Sequence, residues 1–390
     1  MARLIISTVG TSLLTNRIER ETDDNDWYKR LQQTANYSED EVGQYHPDVK
    51  QIIAELKERA ETELSSDDIQ KIREASAELN GIYALYNDQI EHGRSDEQGI
   101  SDIHLLVATD TAQARVTAEI VEFFLKSKGL TNTSIHVQPG LSTASSDIFV
   151  QGMAKLIPWM KETITDCKKS KYRICFNLVG GFKALQGYFN TIGMFYAEEI
   201  IYVFEGANTL IAIPRLPVKV DVEQVEPYKV QLAMMDVGEI RTSWEEAKKV
   251  PQDWVLVDGN EMTLSIWGQL IWNQCKEEIL SRELLKFPKL EYAASFKDDY
   301  QNQTDLQKRE KLQETLAKVA YLLAKGKDGV GELKKDGGLQ FERYTNTSID
   351  HFRATLGLRV SCKVLEKSSL SLRYYGTHNH VERSEGIRGR

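Results

Sequence analysis

Cysteine is scarce in this chain. Its 390 residues hold four, Cys167, Cys175, Cys275 and Cys362, and no two stand at a Cys-x-x-Cys spacing. That argues against a disulfide scaffold and a zinc site, and it fits a reducing compartment. No run of about 18 apolar residues is present, so no membrane span is expected. The opening Met-Ala-Arg-Leu-Ile-Ile-Ser enters a strand pattern directly, without the charged region, apolar core and cleavage site of a secretory signal. A cytoplasmic protein is the expectation. Internal repeats and low-complexity tracts are also missing.

What is present is ordinary in amount and unusual in placement. Apolar residues make up 41% and charged residues 27%, the balance of a globular protein with real cores. The length predicts two or three domains. The net charge of -9 is uneven: from Phe287 onward 19 Lys and Arg face 14 Asp and Glu, a net of +5, which leaves -14 on the preceding residues. An acidic body with a basic last domain suggests that the tail meets a polyanion. A solvated basic face is the plainer alternative.

Apolar runs near 3–9, 103–109, 173–179 and 200–205 read as buried parallel strands, with helical stretches near 112–128 and 183–196. This alternation predicts an α/β sheet with crossover helices. A polar insertion at 47–90 has helical period and predicts one or two helices without chemistry of their own. Ile213-Pro-Arg-Leu-Pro217 closes the first domain, at 1–217. In 218–286, apolar runs flanking Asp258-Gly259 predict a hairpin, followed by a helix at 266–285. Helices around a hairpin fit a small winged-helix-like module, although its acidic surface disfavours DNA. Residues 287–390 read as α+β. Thr304-x-x-Gln307 has capping-box spacing, Gly326 can end the helix that follows, and strands are predicted at 339–344, 358–365 and 370–375.

Three loops fall at predicted strand C-termini, where open α/β sheets bind ligands. They are Thr8-Val-Gly-Thr-Ser12, Ala108-Thr-Asp-Thr111 and Asn177-Leu-Val-Gly-Gly-Phe-Lys183. The last joins a strand to a helix N-terminus through Gly180-Gly181 and adds the charge of Lys183. That is equipment for an anion. It lacks the spacing of an NTP-binding loop and of Gly-x-Gly-x-x-Gly. Together the three loops resemble the CRISPR-associated Rossmann fold, or CARF, sensor family over about residues 1–215. The resemblance implies a Rossmann-like homodimer that binds a cyclic oligoadenylate, cyclic tetra-adenylate above all, across its two-fold axis. By position, Gly10, Thr11, Ser12, Thr109, Asp110, Thr111, Asn177, Gly180, Gly181 and Lys183 would line the ligand. Some members cleave their ligand slowly; Thr11, Ser12 and Lys183 would be the suspects here.

The C-terminal 48 residues, from Arg343, carry nine Lys and Arg, four Asp and Glu, and three of the seven His. Strand alternation predicts that Arg359, Lys363 and Arg373 share one face, with Leu370, Leu372 and Tyr374 on the other. Gly376-Thr-His-Asn-His380 sets two imidazoles beside them as a turn. Metal-free RNA cleavage needs a base for the 2′-OH, cations on the phosphate and an acid for the leaving oxygen. A His378/His380 zinc site lacks partners. Arg373-x-x-x-x-His378 has the spacing of the HEPN ribonucleases, but a strand rather than a helix precedes it.

Residues 287–390 more closely resemble the RelE family of ribosome-dependent mRNA interferases. By that resemblance Arg359 and His378 fall on catalytic positions, with Arg373 and Lys363 holding phosphate. The family's late tyrosine is missing after Tyr375, which leaves His380 or Arg383 to complete the acid/base pair. A CARF sensor, a winged-helix-like module and a RelE-like domain together resemble the CRISPR-associated mRNA interferases. The implied activity is metal-independent cleavage of mRNA at the ribosomal A site in type III CRISPR antiviral defence. Cyclic tetra-adenylate would be the activator, with no other cofactor. Two alternatives remain: a HEPN-type nuclease on free single-stranded RNA, and a winged-helix regulator without nuclease activity.

Overall fold

The computed structural model describes residues 1–19, 23, 26–204, 209–325 and 328–387. Chain contacts divide it into two compact units, Met1–Val218 and Lys219–Arg390.

The first unit is built on a six-stranded sheet of order β3-β2-β1-β4-β5-β6. The strands are β1 (Arg3–Thr8), β2 (Ile103–Ala108), β3 (Thr133–Val137), β4 (Arg173–Asn177), β5 (Glu199–Phe204) and β6 (Thr209–Pro214). The first five are parallel, and β6 returns antiparallel against β5. Leu4, Ile5 and Ile6 of β1 and Ile174, Cys175 and Phe176 of β4 are buried, as centrally placed parallel strands require. Because the chain passes from β1 to β2 on one side and later returns to β4 on the other, the order reverses between β1 and β4. That reversal opens a crevice at the strand C-termini. The sequence pattern anticipates four of these strands; β3 and β6 and the long Ser146–Lys169 helix are additional.

The insertion after β1 is more helical than its period suggests. It includes Trp27–Gln33, Glu39–Tyr45, Pro47–Leu64, Ile69–Ala75 and Ala77–Leu85. Val49, Ile52, Ile53 and Leu56 are buried in one core with Val121, Phe124 and Leu125 of the Ala112–Ser127 helix. The insertion therefore covers one side of the sheet.

The second unit holds two sheets around one core. A small antiparallel sheet has the order β7-β9-β8, from β7 (Ile240–Arg241), β8 (Val255–Asp258) and β9 (Glu261–Leu264). Its β8–β9 hairpin turns at Gly259, whose φ of +55° is left-handed. The larger sheet has the order β10-β14-β13-β12-β11. Its strands are β10 (Leu290–Tyr292), β11 (Glu342–Arg343), β12 (Asp350–Arg353), β13 (Leu358–Leu365) and β14 (Ser369–Thr377). The predicted 339–344 strand shrinks to two residues, and β12 was not anticipated. The helix predicted from Thr304 is capped one residue later, by Asp305, whose carboxylate accepts from Gln307 and Lys308. Gly326 lies outside the described residues.

A single hydrophobic core runs through the small sheet, the Ile266–Arg282 helix, the Leu306–Ala324 helix and the larger sheet. Gln313, fully buried, ties the two halves together. Its amide donates to the carbonyls of Leu280 at 2.6 Å and Glu283 at 2.7 Å, and its oxygen accepts from the Leu285 N–H at 2.7 Å. Residues 219–286 and 287–390 thus share one interior. Trp272 lies at its centre with no exposed surface. Trp272→Ala is expected to destabilise this unit by about 3–5 kcal/mol, measured by urea unfolding.

Candidate functional site

The strand order 2-1-4 sets the three predicted loops side by side at the C-terminal edge of the first sheet. Their packing is close. The Thr8 hydroxyl donates to the Gly180 carbonyl at 2.5 Å. A Cβ on Gly181, where φ is +99°, would lie 2.9 Å from the Thr8 side chain, and one on Gly10 would lie 3.0 Å from the Gly181 nitrogen. The glycines let the β1 and β4 loops touch each other.

An unexpected group completes this junction. Glu78, from the Ala77–Leu85 helix of the insertion, is fully buried. One carboxylate oxygen accepts the Gly10 N–H at 2.7 Å, and the other accepts the Ser76 hydroxyl at 2.8 Å. A Cβ on Gly180 would lie 2.1 Å from that first oxygen. Asn177 is also buried, its amide donating to Ser7 and to the Glu78 carbonyl, each at 3.1 Å. Gly10, Gly180 and Asn177 are therefore packed inside this junction. Glu78→Ala would leave the buried Gly10 N–H without its acceptor, so the first unit should lose about 1–3 kcal/mol. Glu78→Gln keeps an acceptor oxygen and should lose less in the same urea titration.

The exposed rim is smaller than the predicted set. Thr11 and Ser12 are half-buried at the start of a short helix, and Lys183 is exposed at the first turn of the Lys183–Tyr196 helix. Phe182 stands at that helix's N-cap and supplies no side-chain cap, so its first N–H groups keep their capacity for an anion. Gly181 is half-buried beside them. In the β2 loop, Thr109 and Thr111 are buried and 3.3 Å apart, with Thr111 capping the next helix. Asp110 pairs with Arg115 at 2.7 Å and accepts the Gly140 N–H at 2.9 Å. This loop is braced from within.

In the second unit, the basic face of the larger sheet carries Arg359, Ser361 and Lys363 from β13, and Arg373 from β14. A β-bulge alters the predicted alternation: the register shifts at Ser361/Cys362, and Tyr375 rather than Tyr374 turns into the core. The His378–His380 turn is the start of a helix, His378–Ser384, capped by the Thr377 hydroxyl.

The two arginines have different partners. Arg373 meets both oxygens of Glu385, at 2.9 and 3.1 Å, and Ser361 donates to the same carboxylate at 2.6 Å. The Glu385 side chain is only 2% exposed, so the charge of Arg373 is matched within the protein. Arg359 instead contacts His351 of β12, 2.7 Å from Nε2. That imidazole stacks on Tyr344, with ring centroids 4.1 Å apart and planes 21° apart. Burial, followed by the nearby Arg359 charge, pushes the His351 pKa down to about 4. Burial pushes the Tyr344 phenol up to about 12. His378 pairs with Glu382 at 3.0 Å, and His380 with Asp299 at 2.9 Å. Lys363 is exposed, opposite Ser371; Arg383 lies in the last helix.

The structure thus joins Arg359 to His351, and through its stack to Tyr344, two residues that sequence reasoning missed. Tyr344 supplies a phenol here although none follows Tyr375. His351 could have been found as one of the three histidines in the basic C-terminal stretch. Its pairing with Arg359 depends on β12, which the pattern does not show.

Residues 73–216 match the model of a family described as CRISPR-associated protein (Cas_APE2256). This match supports a role in CRISPR defence. It spans Glu78, the Ala108–Thr111 loop and the Asn177–Lys183 loop, begins after the β1 loop, and stops before the second unit. No curated protein matches the chain. No helix among the described residues is long and apolar enough to cross a membrane.

Proposed function

We propose that the chain is a cyclic oligoadenylate-activated, ribosome-dependent endoribonuclease. The first unit would sense the ligand and the second would cut mRNA at the ribosomal A site. The observation that carries this reading is the pairing of a CRISPR-associated match in the first unit with an imidazole, phenol and guanidinium cluster in the second.

In the sensor, Thr11, Ser12, Gly181, Lys183 and the uncapped helix N-terminus suit a phosphodiester, and the crevice lies where the strand order reverses. Cyclic tetra-adenylate bound across a homodimer axis is the ligand we favour. In the effector, Arg359 would clamp the scissile phosphate and His378 would move the proton, by general acid/base chemistry. Arg373, matched by Glu385, has a structural part in this scheme, which narrows the phosphate-holding set to Arg359 and Lys363.

The test is to incubate the full chain, with and without cyclic tetra-adenylate, with free RNA, translating ribosomes and promoter DNA. Cleavage that requires both ligand and ribosomes supports the proposal. Equal cutting of naked RNA would favour a nuclease of the HEPN type, and DNA binding without cleavage would favour a regulator.

A further inference from the structure

The contact between Arg359 and His351 has a consequence that the contact between Arg373 and Glu385 lacks. A guanidinium has N–H donors and no acceptor. The 2.7 Å contact therefore requires a lone pair on His351 Nε2, which places the ring proton on Nδ1. Nδ1 is buried and has no partner among the described residues, and the same holds for the Tyr344 hydroxyl. Strand β12 fixes where the imidazole sits, and the stack on Tyr344 fixes its plane. One of the five N–H groups of Arg359 is thereby held by a rigid, uncharged acceptor.

Charge separates the two arginines. A carboxylate partner orients a guanidinium and also cancels its field. A neutral imidazole orients it and leaves the full positive charge and four N–H donors for an incoming anion. We infer that His351 is a positioning residue, which holds the Arg359 guanidinium in place through Nε2 without neutralising it, so that Arg359 can clamp a phosphate. The inference rests on the nuclease reading of the second unit.

The surroundings keep His351 uncharged. Burial is the largest influence, and Arg359 on β13 and His378 on the last helix disfavour a proton; Glu342 on β11 and Asp350 beside it on β12 favour one but do not prevail. Protonation would replace the lone pair with a second donor aimed at Arg359.

Three substitutions separate orientation from charge. His351→Gln can present an amide oxygen to Arg359, His351→Phe keeps the stack and removes the acceptor, and His351→Glu supplies an acceptor that neutralises. With ligand and translating ribosomes, kcat should fall about 100-fold in His351→Phe and in His351→Glu, and only several-fold in His351→Gln. KM should change little. A second readout is independent of activity: nitrogen-15 NMR of the arginine side chains in the full chain. Hindered rotation of the Arg359 guanidinium is expected in the native protein and in His351→Gln, and free rotation in His351→Phe. If His351→Phe cleaves like the native protein while Arg359→Ala does not, positioning is refuted and the nuclease reading stands. If the native protein cleaves nothing, the nuclease reading fails, and the NMR result still decides whether His351 holds Arg359. Free rotation in the native protein overturns the inference on its own.

Discussion

Arg359→Ala should lower ligand-dependent cleavage on ribosomes by about 10²–10³-fold, the usual effect of deleting one preorganised donor to developing negative charge. The fold itself should tolerate the change. Arg359 is half-buried on the outer face of β13, and its partner His351 already carries its proton on the buried Nδ1 side. Losing Arg359 removes a nearby positive charge and leaves no buried ion unpaired. Arg373→Ala should behave in the opposite way. Its partner Glu385 is nearly inaccessible, and Ser361 is the other side chain bonded to that carboxylate. Breaking a pair of this kind strands a buried charge. Because Arg373 is itself one-third exposed, solvent softens the effect, and a loss of about 1–3 kcal/mol is expected. Single-turnover cleavage on stalled ribosomes, beside urea unfolding of each variant, separates these outcomes. An Arg359→Ala variant that cuts normally, or an Arg373→Ala variant that loses activity at unchanged stability, would reverse the assignment of the two arginines.

The parts of this molecule that were legible in sequence are those where local pattern and tertiary role agree. Parallel strands buried on both faces read as apolar runs, and β1, β2, β4 and β5 are found near their predicted positions. The hairpin predicted at Asp258-Gly259 was legible because its turn needs a residue of positive φ, which Gly259 supplies, although the two turn residues are Gly259 and Asn260, with Asp258 paired to Glu261. Edge elements were not. β3 and β6 are less buried than the centre, so their composition carries a weaker signal. The bulge at Ser361/Cys362 defeats strict alternation, because an extra residue moves every later side chain to the other face. Site residues follow the same division. Loop positions could be placed by their strand ends, but the residues that complete each site arrive from elsewhere in the chain. Glu78 reaches Gly10 across 68 positions, and His351 meets Arg359 only through the β12–β13 ladder. A buried glutamate in a polar insertion looks like any solvated glutamate until the fold closes around it.

Acid should loosen the first unit through His104. This side chain lies inside β2 with no exposed surface. Its Nε2 is 2.9 Å from the Tyr86 hydroxyl, and that hydroxyl is 2.7 Å from Asp102, which also pairs with Arg3. The simplest proton arrangement has the phenol donating to the carboxylate and accepting from Nε2–H, which leaves Nδ1 without a proton. Nδ1 is buried with no partner among the described residues, so a second proton there would have nowhere to donate. Burial accordingly pushes the His104 pKa from 6.5 down to about 4, against the attraction of Asp102. The sign follows from which state binds the proton first. As pH falls, the unfolded chain protonates His104 near pH 6.5, while the folded chain resists until about pH 4. The contribution is complete above pH 6.5, drains away between 6.5 and 4, and amounts to about 3 kcal/mol across that window. Hydrogen exchange of the β2 amides, followed from pH 7 to pH 4.5, should report it as a steepening loss of protection. His104→Gln removes the titrating group, so its curve should be flatter over the same range, whatever its absolute stability. Equal slopes for the two proteins would mean that His104 takes up its proton over the same pH range in the folded and unfolded chains, and that burial does not disfavour its charged form.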